Sequence, residues 1–165
     1  MDALFDTTEL EAILRELGEN VKKGYIQKLK DHGRPTQENT LASTVEVVVD
    51  HSGTQYTVSL NLQDYWKYVE EGTRPHWPPP QAIMHWIEVK PVLPRPDEQG
   101  RIPSPRSLAY LIGRKIAREG TKGTHDLKET TDTLVGYYED RIAEALGRAA
   151  VQYIERIIDD TSQLA

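Results

Sequence analysis

Apolar side chains recur at three- and four-residue steps from Leu10 through Ile13, Leu14, Leu17, Val21 and Tyr25 to Leu29, which sets them on one stripe of a helix over residues 7–31. Thr7 or Thr8 is placed to cap it, and Gly33 followed by Pro35 ends it. Gly18 and Gly24 each weaken such a helix by roughly 1 kcal/mol relative to Ala, so packing must hold it. The helix is longer than a small sheet needs for cover. It reads as a scaffold, or as a helix whose overhang meets another subunit.

After a polar loop the period changes to two. Ser43, Val45, Val47 and Val49 alternate with Thr44, Glu46, Val48 and Asp50; Tyr56, Val58, Leu60 and Leu62 alternate with polar residues. This predicts a hairpin over residues 41–62 that turns at 51–54, with Gly53 free to take positive φ. Two strands alone are marginal, so a helix, further strands or another chain must cover the apolar face. Leu62, Tyr65, Trp66 and Val69 then follow helical spacing up to Gly72, and Ile83, Trp86 and Ile87 mark a second short helix after Pro78-Pro-Pro80. Trp66 and Trp86 read as core residues of these helices, with Gly72-Thr73 as the turn between them. Trp77, between prolines, fits an interface anchor and a core residue equally.

Nine of the ten prolines lie between Pro75 and Pro105, which makes residues 90–104 an extended loop. Ser104-Pro105 is a helix start, followed by Leu108, Leu111, Ile112 and Ile116 as the buried side and Gly120 as the stop. A polar loop over 120–130 leads to a final helix over 132–160, striped by Leu134, Tyr138, Ile142, Ala145, Leu146, Ala149, Tyr153 and Ile157. The element order predicts an α+β fold in one domain over residues 1–165. A small antiparallel sheet, the 41–62 hairpin with possible further strands, packs against long N- and C-terminal helices and short middle helices.

Charge sharpens this picture. The chain carries a formal −6, yet residues 101–128 hold 7 basic and 2 acidic side chains, while residues 129–165 hold 3 and 8. An acidic whole argues against a general nucleic-acid footprint. The local run offers Arg106, Arg114, Lys115, Arg118 and Lys122 to an acidic neighbouring protein, to a second copy, to phosphates or to solvent, with Arg114, Lys115 and Arg118 as the interface candidates. Only Tyr110 is interleaved there to stack a base.

Chemistry is sparse. Zero cysteines remove disulfides and thiolate sites, no two of the five histidines have the spacing of a helical metal pair, and no nucleophile elbow or phosphate-binding glycine loop is present. Glu70 and Glu71 are adjacent and read as solvated helix charges. No catalytic, cofactor or metal residue is assigned, and a hydrolase built around His76 and Glu70 is the least favoured alternative. No window approaches the roughly 20 apolar residues of a membrane span, and the acidic N-terminus has no signal-like pattern, so a soluble protein is expected.

The segment Tyr65-x-x-Tyr68-Val-Glu-x-Gly72-Thr73-x-Pro75, the Trp77-Pro-Pro-Pro80 stretch, Ile83-x-x-Trp86-Ile-x-x-Lys90 and Leu108-Ala-Tyr-Leu-Ile-Gly-Arg-Lys-Ile-Ala-Arg-Glu-Gly-Thr121 resemble the tail-completion proteins of long-tailed bacteriophages, also called head–tail joining or minor tail proteins. The resemblance covers about residues 62–127, and its motif falls on Tyr65, Tyr68, Val69, Glu70, Gly72 and Thr73. It implies a non-enzymatic virion protein of the neck or tail, without cofactor, assembled in the host bacterial cytoplasm. The implied state is a homo-oligomeric ring, with six copies expected, between the head connector or stopper and the tail tube protein. DNA would pass through its lumen without specific recognition. Independently of the resemblance, the acidity of the terminal helices suits them to line such a lumen, where they would repel the DNA backbone. The 90–104 loop departs from the family as an insertion. Arg74, His76 and Trp77 remain as the tip offered to partners. A DNA-contacting accessory protein using residues 101–128 is the alternative.

Overall fold

The computed structural model describes residues 7–34, 36, 38, 40–52, 55–89, 94–96 and 98–163. Pro35, Gly53 and residues 90–93, to which the sequence assigns a helix stop, a turn and part of the extended loop, lie outside them. The fold is α+β: α1 (Thr8–Asp31), β1 (Glu46–Ser52), β2 (Gln55–Asn61), α2 (Trp66–Glu70), β3 (Gly72–Thr73), α3 (Pro80–Val89), α4 (Pro105–Glu119), β4 (Thr121–Lys122) and α5 (Asp126–Gln163). The strands form two separate antiparallel pairs, β1 with β2 and β3 with β4. Contacts divide the chain into two compact units, Met1–Gln27 with Val45–Leu62 and Leu127–Ala165, and Lys28–Thr44 with Gln63–Asp126.

In the first unit Leu10, Ile13, Leu17 and Val21 of α1 bury against Tyr138 and Ala145 of α5, with Tyr56 and Leu60 of β2 packed on the cluster. The hairpin pairs Val47 with Leu60 and Val49 with Val58, so the alternating residues share one face as their period requires. Gly18 explains how α1 lies on that face. A Cβ there would stand 2.5 Å from Val47 Cγ1 and 3.1 Å from Val58 Cγ1. Gly24 does the same against α5, where a Cβ would stand 2.7 Å from Thr130 Cγ2. The helix-weakening glycines are the positions of closest approach.

Four long side chains fix the antiparallel register of these helices. Arg141 donates to both Glu16 carboxylate oxygens at 3.1 and 2.9 Å, and Arg148 donates to both of Glu9 at 3.0 and 2.8 Å. The Tyr138 hydroxyl donates to Glu16 at 2.6 Å and accepts from Asn20 at 2.6 Å. The Arg141 hydrogen bonds, and after them the Tyr138 hydroxyl, hold the Glu16 carboxyl down to about 2 from its ordinary 4.5. A carboxylate depressed on folding contributes its stability fully above the unfolded value and loses it as pH falls toward the folded value. Glu16→Gln is therefore expected to flatten the drop in melting temperature between about pH 5 and about pH 2.5, followed by circular dichroism. An unchanged slope would count against this clamp.

Several expectations are corrected. The first strand starts at Glu46, because Ser43 Oγ and Thr44 Oγ1 each donate to the Thr40 carbonyl at 3.0 Å and tie residues 40–44 into a turn before a ladder can form. α5 starts at Asp126 instead of residue 132; Asp126 is buried with its carboxylate 2.9 Å from His32 Nδ1, and Thr130 is buried under Gly24. The spare length is not in α1, whose stripe is buried from Leu10 to Leu29, but in α5. Arg148 meets Glu9, so residues 150–163 run past Thr8, the start of α1.

In the second unit α1 ends in a left-handed glycine cap. Gly33 has φ 63°, its N–H bonds Lys30 O at 2.8 Å, and the Arg34 N–H bonds Leu29 O at 2.8 Å. Gly72-Thr73 is a strand, not a turn between helices. It pairs with Thr121-Lys122, and the Thr73 and Thr121 hydroxyls meet at 2.9 Å. Ser104 caps α4 as its sequence requires, accepting from Ser107 N–H at 3.2 Å. The buried side of α4 is Ala109 and Gly113, however, while Leu111 is half exposed. Small residues face inward because Ile83 of α3 comes within 3.2 Å of where a Gly113 Cβ would lie.

Candidate functional site

Two open grooves in the second unit collect most of the candidate residues. The first, about 650 Å³, is lined by Tyr65, Tyr68, Val69, Gly72 and Thr73 together with Arg74, His76 and Arg34. Its floor is built by the β3–β4 ladder and by Thr124 N–H bonding Val69 O at 3.1 Å. Its rim is set by the cap of α1, which delivers Arg34, and by the Tyr65 hydroxyl, which accepts the Leu41 N–H at 2.7 Å. Tyr68 stands 64% exposed over the groove. His76 donates from Nδ1 to the Arg74 carbonyl at 2.9 Å.

Glu70 alone of the six motif residues is absent from that lining. It is 5% exposed, so the expectation of a solvated helix charge is overturned: the short helix turns Val69 and Glu70 inward and Tyr68 outward. Among the described residues no group of three or more His, Asp or Glu side chains is placed to hold a metal ion. No described helix is long and apolar enough to cross a membrane.

The second groove, about 660 Å³, runs along α4 and is lined by Leu111, Ile112, Lys115, Ile116, Glu119 and Lys122. Arg118 bonds Glu119 beside it and, with Lys115, holds that carboxyl below its ordinary range. On the other side of α4, Arg106, Tyr110, Arg114 and Arg118 follow one another at four-residue steps and are all exposed. Trp77 leans on Tyr110 with ring centroids 5.8 Å apart and is 52% exposed, so it belongs to the surface rather than the core. Trp86, expected in the core, is 37% exposed, and Ile83 takes the buried place on its helix.

Compared with models of protein families, with curated proteins and with solved structures, the chain matches none. The site therefore stands on its own geometry. Arg34 was missed by sequence reading, although the Gly33 stop that positions it was legible. Also missed was a second apolar stripe on α5: Leu146, Val151, Ile154, Ile157 and Ile158 are each about half exposed, and Tyr137 is 72% exposed. The expected stripe merged this face with the buried one, because Leu146 and Ile157 were counted with Tyr138 and Ala149.

Proposed function

We propose that this chain is a structural, non-enzymatic virion protein of a tailed phage. It forms a homo-oligomeric ring of six copies at the head–tail junction and joins the head connector or stopper to the tail tube around the DNA channel. The reading places it in the neck or tail of the virion after assembly in the host bacterial cytoplasm, with no cofactor. The observation that carries it is the first groove. Five of the six residues on which the tail-completion resemblance rests line one open surface together with Arg74 and His76. The groove has aromatic and basic walls, which suits recognition of another protein's side chains.

The test is assembly. Purified protein mixed with its tail-tube and connector partners is expected to give rings by electron microscopy and mass photometry, and a strict monomer that joins neither would overturn the reading. Tyr68→Ala combined with Arg74→Glu is expected to leave the circular dichroism spectrum unchanged and to weaken partner docking by roughly tenfold or more.

A second reading has one observation in its favour. Trp77 beside Tyr110, next to Arg106, Arg114 and Arg118, is an aromatic and basic surface of the kind that stacks bases and tracks phosphates. On that reading DNA binding is salt-sensitive and disappears when Arg114, Lys115 and Arg118 are reversed in charge.

A further inference from the structure

α5 has two apolar faces, one buried and one exposed. Tyr138, Ala145 and Ala149 bury against α1. Nearly half a turn away lie Ala143, Gly147, Ala150 and Ile154 at helical steps, flanked by Leu146 and Ile157 on one side and by Val151 and Ile158 on the other. A Cβ added at Gly136 or Gly147 would meet nothing within 4 Å, unlike one at Gly18 or Gly24. Five large aliphatic side chains about half exposed on a single helix form the kind of contiguous patch that marks an interaction surface.

Charge selects the occupant. From Glu139 to Asp160, α5 carries six acidic and three basic residues; two of the basic residues, Arg141 and Arg148, are already spent on Glu16 and Glu9, and Arg148 also holds Glu144 at 3.6 Å. Pairing this face with itself would bring like charges together. The groove along α4 has the complementary character: Leu111, Ile112 and Ile116 form its apolar floor, and Lys115 and Lys122 are its cations, with its carboxylate Glu119 tied to Arg118.

We propose that the outer face of α5, around Val151, Ile154 and Ile158, seats in the α4 groove of a second copy of this chain, with Glu155 toward Lys115 and Lys122. The contact joins two different surfaces, so repeating it builds a ring or a filament rather than a closed dimer. It rests on the ring reading above for its closure, and it names the seam of that ring.

Two variants with exposed substitutions test it by native mass spectrometry and sedimentation at low salt. One carries Val151→Lys and Ile154→Lys; the other carries Leu111→Glu and Lys115→Glu. Each alone is expected to be monomeric, with self-association weakened roughly tenfold or more, while an equimolar mixture gives a 1:1 complex, since one partner keeps its α5 face and the other its α4 groove. A charge-swapped pair, Glu155→Lys against Lys115→Glu with Lys122→Glu, serves should a first variant fail to fold: each alone is expected to lose self-association, and mixing restores both contacts, so alternating assemblies return. Dimers of the Leu111→Glu and Lys115→Glu variant alone would overturn the inference in favour of an α5–α5 pair. Variants that assemble like wild type would overturn the seam and leave the ring standing. Wild type that stays monomeric at every concentration, with and without tail partners, would overturn both.

Discussion

Tyr138→Ala is expected to lower the free energy of unfolding by about 4 kcal/mol, read from urea denaturation. Against a typical total of about 5–15 kcal/mol, that is enough to leave much of the protein unfolded at moderate temperature. The ring is 2% exposed at the centre of the α1–α5 cluster, its hydroxyl bridges Asn20 and Glu16, and the Arg141 guanidinium lies 4.9 Å from its centroid. Removing it opens a cavity and unmakes the polar bridge together. Tyr138→Phe separates the two effects, keeping the volume and losing only the hydroxyl, at a cost of about 1–2 kcal/mol. A loss below about 1 kcal/mol for the alanine variant would mean that the first unit is not held where its core is described.

Gly120→Ala is expected to cost about 3 kcal/mol and to act on the second unit. Gly120 has φ 72° and ψ −161°, a region that essentially only glycine enters, and a Cβ there would fall on the Thr73 carbonyl oxygen across the β3–β4 ladder. Gly100 is the control: its φ is 74°, yet nothing lies within 4 Å of an added Cβ. Gly100→Ala should therefore show the conformational cost alone, about 1 kcal/mol. Equal effects at the two positions would show that the close approach to Thr73 contributes nothing.

The parts of the fold legible in the sequence are those with local physical causes. Ser104-Pro105 starts a helix wherever it occurs, Gly33 ends one through a positive φ, and the alternation from Val47 to Leu60 survives as the hairpin face. What was not legible depends on partners distant along the chain. Two-residue strands have no period to read, so Gly72-Thr73 passed for a turn until Thr121-Lys122 came beside it. Asp126 and Thr130 read as loop because their polarity is answered only in the folded chain, by His32 in one case and by burial under Gly24 in the other. On α4 the apolar spacing takes in Leu111, whereas the approach of Ile83 requires Gly113. For the site, the motif residues could be named in advance, but their gathering with Arg34 in one groove could not, because the cap of α1 and a 48-residue-distant ladder build it.

The clamp between α1 and α5 has an ambiguity built into it. Glu9 and Glu16 are one heptad apart, as are Arg141 and Arg148, so sliding α5 by about 10 Å along α1 would still mate Glu16 with Arg148. Charge alone accepts the misaligned pairing. The slip would set Asn20 opposite Ala145 in place of Tyr138, and it would drive Tyr137 toward the notch that Gly24 keeps for the methyl group of Thr130. Gly24 and Asn20 thus proofread an alignment that the arginines and glutamates leave degenerate.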